Sequence, residues 1–370
     1  MAAIAAPDAA PKSSESKAPQ LVNPFTKASR RKTETFIDVS DTLGTSAKQL
    51  RQVDVPATGY LRHLVITIDL SGYSAATYKA DAPWNVIDNV TLSDVNGSPI
   101  VLLSGYELFL ANLLGGYSQN ADPRKAPDFV SSATAAKFTL RVPVEIIQRH
   151  AFGALVNLNA AMTYKLRVTL APSADVFSAV TGTVTAKVTG VVESWSNPPA
   201  ADLRGVPNAT TPPALGTTQN WSTQTSPVTV GQNTHRLSRV GNTIRNLILV
   251  ARDATGARSD AVLPDNLALY FDGNQVHNVP VAYLRRRVVE LYGYAAADVP
   301  AGVLVLPFTD DFDGTPGEEV GDYYMGTSGA TRLEFQGVWK AAGALAITTN
   351  DILAAAGTGG AGATLGAQAG

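Results

Sequence analysis

Apolar and polar residues alternate in short runs along most of this chain. Between residues 162 and 170, Tyr164, Leu166 and Val168 fall on one face of an extended segment and Lys165, Arg167 and Thr169 on the other. A period of two marks a half-buried strand. Similar runs occupy 137–144 and 184–195 in the first half of the chain, and 243–250, 303–308, 331–338 and 344–350 in the second. The run 60–70 is rich in branched residues and bounded by Thr58-Gly59 and Ser71-Gly72, which predicts another strand. The β pattern starts near Thr35, where Phe36, Asp38 and Ser40 alternate with Ile37, Val39 and Asp41. Two stretches switch to helical spacing. Tyr106, Phe109, Leu110, Leu113 and Leu114 predict a helix over 104–114; Val281, Leu284, Val288 and Leu291 predict one over 281–292.

Those helices belong to a stretch that occurs twice. Asp88–Tyr117 and Asp265–Tyr294 align at a constant offset of 177 residues. Identical pairs are Asp88/Asp265, Asn89/Asn266, Leu92/Leu269, Tyr106/Tyr283, Leu114/Leu291, Gly116/Gly293 and Tyr117/Tyr294. The punctuation agrees too: strand, Asn/Gly turn, short strand, helix, Gly-Tyr stop. At an offset of 183, Thr243–Val250 corresponds to Tyr60–Thr67, with Arg62/Arg245 and Leu64/Leu247 matching. A period this long means two similar domains rather than a solenoid.

The chain divides accordingly. Residues 1–35 form a flexible basic N-terminal arm, with Lys27, Arg30, Arg31 and Lys32 clustered near its end. The first domain covers 36–198, a Pro-rich linker 199–217, the second domain 218–353, and an Ala/Gly-rich flexible tail 354–370. Each domain holds about eight short strands and one helix. Such runs of short strands predict an all-β fold of two tandem eight-stranded jelly-roll sandwiches, each with a short helix inserted.

Composition removes several alternatives. A net charge of −2 gives no reason to expect specific nucleic-acid binding by the body. The absence of cysteine excludes a disulfide framework or a thiolate metal site. No apolar run is long enough to span a bilayer as a helix. The N-terminus has no basic n-region, and Pro7, Asp8 and Pro11 interrupt its apolar stretch, so no signal peptide is expected.

No catalytic constellation emerges. His63, His150, His235 and His277 lack metal-ligand spacing and read as ordinary histidines. Asp310, Asp311 and Asp313, with Glu318 and Glu319, resemble a calcium loop, but if Gly314 is the turn glycine the first and twelfth ligand positions fall on Thr309 and Val320. A solvated hairpin loop fits them better, with a loose ion site left open. Arg285, Arg286 and Arg287 read as a solvated helix face, with Glu290 one turn beyond Arg286. No catalytic, cofactor-binding or metal residue is assigned.

The tandem duplication, the helix in each half, the basic arm and the Pro-rich linker resemble a double jelly-roll major capsid protein of tectivirus-like, internally membraned icosahedral viruses. The likeness covers roughly 36–353 and includes the closing segment TRLEFQGVWKAAGALAITTNDI at 331–352. It implies a homotrimer of six upright jelly rolls, a pseudo-hexagonal tile in a virion shell, synthesised in a host cytoplasm. It also implies contacts with neighbouring capsomers and minor capsid or vertex proteins, and with an internal membrane through the arm. Modest loops imply short towers. Two other readings stay open: an extracellular two-domain binding protein, and a two-jelly-roll glycan hydrolase built on the carboxylates at 310–319.

Overall fold

The computed structural model describes residues 21–117, 122–147, 150–308 and 324–353. The start of the arm, the acidic residues 310–319 and the tail 354–370 lie outside the described residues. The first half runs α1 (Phe25–Ala28), β1 (Arg31–Thr42), β2 (Lys48–Gln49), β3 (Val53–Asp54), β4 (Gly59–Tyr78), β5 (Ile87–Ser93), β6 (Pro99–Leu103), α2 (Gly105–Leu114), β7 (Val130–Ser131), β8 (Ala136–Pro143), β9 (Leu155–Asn157), β10 (Lys165–Leu170), α3 (Ser173–Val176) and β11 (Phe177–Trp195). The second runs β12 (Thr218–Val228), β13 (Gly231–Arg236), β14 (Thr243–Asp253), β15 (Asn266–Phe271), β16 (Asn274–Pro280), α4 (Val281–Tyr292), β17 (Val303–Pro307), β18 (Met325–Gly326), β19 (Leu333–Trp339) and β20 (Gly343–Leu353).

Both halves have jelly-roll order. In the first, β1-β11-β4-β8 faces a sheet in which β10, β5 and β6 follow one another and the short pieces β2 and β3 pair with β10. In the second, β12-β20-β14-β17 faces β13-β19-β15-β16. Alternation places the cores: Phe138, Leu140 and Val142 of β8 point inward, while Lys137, Thr139 and Arg141 point out. Each helix follows the same strand of its half, β6 or β16, and packs beside the next one, β8 or β17.

The halves are not separate beads. β6 pairs in parallel with β12, Val101 opposite Trp221 and Leu102 opposite Ser222. That pairing fuses one sheet of each half into a single ten-stranded sheet. β14 is consequently apolar on both faces: Leu247 and Leu249 fill the second core, while Ile248 and Val250 join the first. This explains its unbroken Leu-Ile-Leu-Val run, the signature of a strand covered on both sides.

The expected arm of 1–35 needs correction where it is described. β1 begins at Arg31, pairing with Trp195. Phe25 is buried, 5.2 Å from the Tyr60 ring and 6.3 Å from Trp195. Asn23 bonds to the linker, its N–H to Pro207 O and its carbonyl to Ala209 N. An edge strand exposed on both faces has no apolar alternation, so Arg31-Lys-Thr-Glu-Thr35 carries no strand signal.

Candidate assembly surfaces

The joint between the halves is built around α2. Ser104 and Glu107 form a reciprocal capping box at its start. Gly105 sits so close to the preceding turn that a Cβ would fall 2.0 Å from Trp84 O. Eight of the ten helix residues are buried, so the helix is seated without freedom to shift. A helix C-terminus leaves orphan carbonyls, and here the second half supplies the donors. Asn246 Nδ2 and Tyr292 OH donate to Leu114 O at 2.8 and 2.9 Å. Tyr294 OH donates to Leu113 O, and Arg245 Nη1 to Gly115 O, both at 2.6 Å. The corresponding end of α4 is closed locally, by Gly293 in the left-handed region (φ 64°).

Gln219, fully buried on β12, ties the joint together. Its Nε2 donates to Val144 O and Glu145 O of the first half at 2.9 and 2.8 Å. Its Oε1 accepts from Tyr117 OH at 2.6 Å, Asn350 Nδ2 at 3.0 Å and Trp221 Nε1 at 3.2 Å. Both tyrosines of the duplicated Gly-Tyr stop therefore serve this joint, from opposite sides.

A buried charged cluster lies where the arm meets the first jelly roll. Arg62 Nε reaches Glu145 Oε2 at 3.0 Å and its Nη1 reaches Glu193 Oε2 at 3.2 Å. His63 Nε2 lies 3.1 Å from the same Glu193 oxygen. Trp195 Nε1 donates to Glu145, and the Trp195 ring carries Arg62 at 4.6 Å and Arg31 at 5.3 Å. Burial pushes Glu145 up to about 7 against the pull of Arg62, and pushes His63 down to about 4. The close approach of His63, with Arg62 beside it, holds Glu193 down at about 2. Sequence reading matched Arg62 with Arg245 but gave no sign of this cluster, because its members lie far apart in the chain.

The other sequence candidates are scattered. His235 on β13 is buried with its Nδ1 2.7 Å from Ser226 Oγ; His277 on β16 and His150 in a turn are exposed. Arg286 pairs with Glu290 at 2.7 Å, Arg285 with Asp260, and Arg287 Nη1 lies 3.3 Å from Tyr283 OH. Lys27, Arg30, Arg31 and Lys32 are all exposed. Among the described residues no group of three or more acidic or histidine side chains could hold a metal ion. No helix among them is long and apolar enough to cross a membrane.

Two of the sheet edges and one cavity bear on assembly. β1 ends the six-stranded sheet and β16 ends the four-stranded one, both with mostly exposed side chains. A cavity of about 360 Å³ opens beside α2 on the outer face of β4 and β8, lined among others by Val65, Asn112, Tyr117, Thr139 and Arg141. Arg141 Nε is buried there without a hydrogen-bond partner among the described residues.

No sequence-family model matches the chain, and no curated protein does. Solved structures do match. The STIV MCP, from Sulfolobus turreted icosahedral virus, superposes with a TM-score of 0.60 at 13% identity, over 87% of this chain and 96% of that one. The fold is that of the viral double jelly-roll major capsid proteins. The major capsid protein of bacteriophage PM2 gives a TM-score of 0.54 at 14% identity, over 89% of this chain and all of that one. The PBCV-1 virus capsid protein gives 0.56 at 13%, over 88% and 94%. The double jelly roll therefore spans nearly the whole length of these neighbours, with the fold retained and little of the sequence.

Proposed function

We propose that this chain is the major coat subunit of an icosahedral virus, assembling as a trimer whose six jelly rolls form a pseudo-hexagonal tile. One observation carries the reading. The two jelly rolls are fused edge to edge through β6 and β12, and the fused pair still has open edges at β1 and β16. A binding protein or hydrolase gains nothing from such edges, which invite pairing with another chain. A tile gains its lateral contacts from them. The chain's role is structural and non-enzymatic in this reading. Exposed Lys27, Arg30, Arg31 and Lys32 are its candidates for touching an anionic internal membrane. Neighbouring capsomers and vertex proteins take the rest of the rim.

Light scattering on the purified chain, followed by electron microscopy of the same sample, tests this. The expected result is a mass of three 38.7 kDa chains and hexagonal plates or shells. A monomer at every concentration overturns the reading. Sedimentation with anionic vesicles, compared between the wild type and a variant with the four cations changed to Ser, tests the membrane contact.

A further inference from the structure

β6 and β16 are the same strand in the two halves, each pairing with the strand that opens the duplicated stretch, β5 or β15. β1 and β12 are likewise equivalent, each lying beside the last strand of its half, β11 or β20. Within the chain, β6 of the first half joins β12 of the second. Their counterparts, β16 and β1, each end a sheet. We propose that β16 of one copy adds in parallel to β1 of a second copy, repeating between chains the joint already present within one. The pairing is head-to-tail, so it closes into a ring when the rotation per jelly roll divides a full turn.

The register follows from the duplication. Val101 pairs with Leu92, and His277 with Leu269, the counterpart of Leu92, so Val101 corresponds to His277 and Leu102 to Asn278. On the other side, Trp221 pairs with Asn350 and Thr33 pairs with Glu193. Glu193 and Asn350 are equivalent because they lie opposite His63 and Asn246, which are related by the offset of Arg62 and Arg245. Trp221 therefore corresponds to Thr33, and Ser222 to Glu34. The new ladder sets His277 opposite Thr33 and Asn278 opposite Glu34 of the neighbouring copy. His277, Asn278, Thr33 and Glu34 are all exposed in the single chain.

A second observation points to the same contact. In the second half, α2 and α4 share the outer face of the β14 sheet, and Ile248 and Val250 beneath them are sealed. The equivalent positions on β4, Val65 and Thr67, are only half-buried. Beside them, next to α2, is the 360 Å³ cavity. Tyr294, under the end of α2, has Tyr117 as its counterpart, and Tyr117 lines that cavity. The operation that lays α2 over β14 lays α4 of the neighbouring copy over β4. It closes the cavity over Arg141.

The coat-protein reading sets the number of copies; the edge pairing is a separate claim, and one experiment tells them apart. The chain has no cysteine, so a Thr33→Cys/His277→Cys double variant carries only the two test thiols. Adjacent paired positions lie within disulfide reach. Oxidation with diamide is expected to link the double variant into a covalent closed trimer, while each single variant stays unlinked. Trimers by light scattering without that link overturn the pairing and leave the coat reading standing. Absence of any trimer overturns both. Hydrogen exchange on the wild-type chain covers the case of a misfolded variant: amides of 31–36 and 274–280 gain protection on assembly, and equal exchange before and after rejects the pairing.

Discussion

Arg62 and Arg245 occupy the same bulge in the two halves. Each is the extra residue of its strand: the register steps from Leu61 to His63 against Ser194 and Glu193, and from Ile244 to Asn246 against Asp351 and Asn350. Each carbonyl accepts a hydrogen bond from the segment after the next strand, from Glu145 N at 2.8 Å or Phe308 N at 3.0 Å. Each Nη1 lies 3.2 Å from the equivalent residue of the last strand, Glu193 or Asn350. Each guanidinium covers an aromatic ring, Trp195 at 4.6 Å or Tyr117 at 4.8 Å. Only the remaining partners diverge. Arg62 closes the end of the first jelly roll through Glu145, and Arg245 caps α2 across the joint.

Removing Arg245 should therefore loosen the two halves from each other. Arg245→Ala is expected to cost about 3 kcal/mol, the scale of a buried charge-assisted bond and its unsatisfied acceptor. Denaturant unfolding should split into two transitions. Arg286→Ala, which breaks an exposed pair with Glu290, should cost about 0.5 kcal/mol or less and leave unfolding in one step. Equal losses in the two variants would contradict the role given to Arg245.

Gln219→Ala strands the Val144 and Glu145 carbonyls at once and takes one acceptor from the Tyr117 hydroxyl. At about 1–3 kcal/mol for each buried group left unpaired, the expected loss exceeds that of any single surface change. Thermal unfolding with and without the substitution measures it. A shift of less than a degree would mean that water replaces the amide freely.

The charged cluster sets opposing pH dependences. His63 titrates near 4 in the fold against 6.5 when unfolded, so the unfolded chain takes up the proton first. Its contribution is present above 6.5 and is lost as the pH falls toward 4. Glu145 titrates near 7 against 4.5. Its contribution is present below 4.5 and is lost as the pH rises through 7. In His63→Gln, stability between pH 4.5 and 6.5 should only decline with rising pH; in Glu145→Gln it should only increase. Denaturation midpoints across that range give the slopes, and unchanged slopes would remove these residues as their source.

The start of α2 depends on its cap. Ser104→Ala is expected to cost about 1 kcal/mol. Gly105→Ala should cost more, because its Cβ would overlap the Trp84 carbonyl. α4 has no side-chain cap at Pro280. Circular dichroism melts of the two α2 variants would rank them, and the reverse order would show that the turn at Trp84 yields easily.

Phe25 fastens the arm. Phe25→Ala should leave the melting of the body nearly unchanged while trypsin cuts faster after Lys27 and Arg30, since the small aromatic cluster of Phe25, Tyr60 and Trp195 lies apart from the main core. Wild-type cleavage rates in the variant would show that the Asn23 bridge alone holds the segment.

Much of this architecture is visible in sequence. Alternation at 137–144 and the repeated DN…GY stretch identify the strands, both helices and their equivalence. The joint is not visible, because β6 and β12 meet through two residue pairs some 120 positions apart and parallel pairing leaves no local pattern. Gln219 looks like any polar strand residue until Asn350 and Glu145 are brought around it. The beginning of β1 is hidden for the opposite reason: it faces solvent on both sides, so nothing in its composition separates it from a loose tail.

Trp221 sits at a joint that is made once, when the chain folds, and never opened again. A large indole is tolerable there, because no free subunit ever displays it. In the pairing proposed above, Thr33, its counterpart at the rim, spends time in water before it meets a neighbour, and a tryptophan in that place would make the unassembled chain sticky toward other exposed strands. Duplication within one polypeptide thus separates two duties that a single jelly roll would have to combine: one copy of the contact is free to become greasy and permanent, and the other stays polar enough to wait.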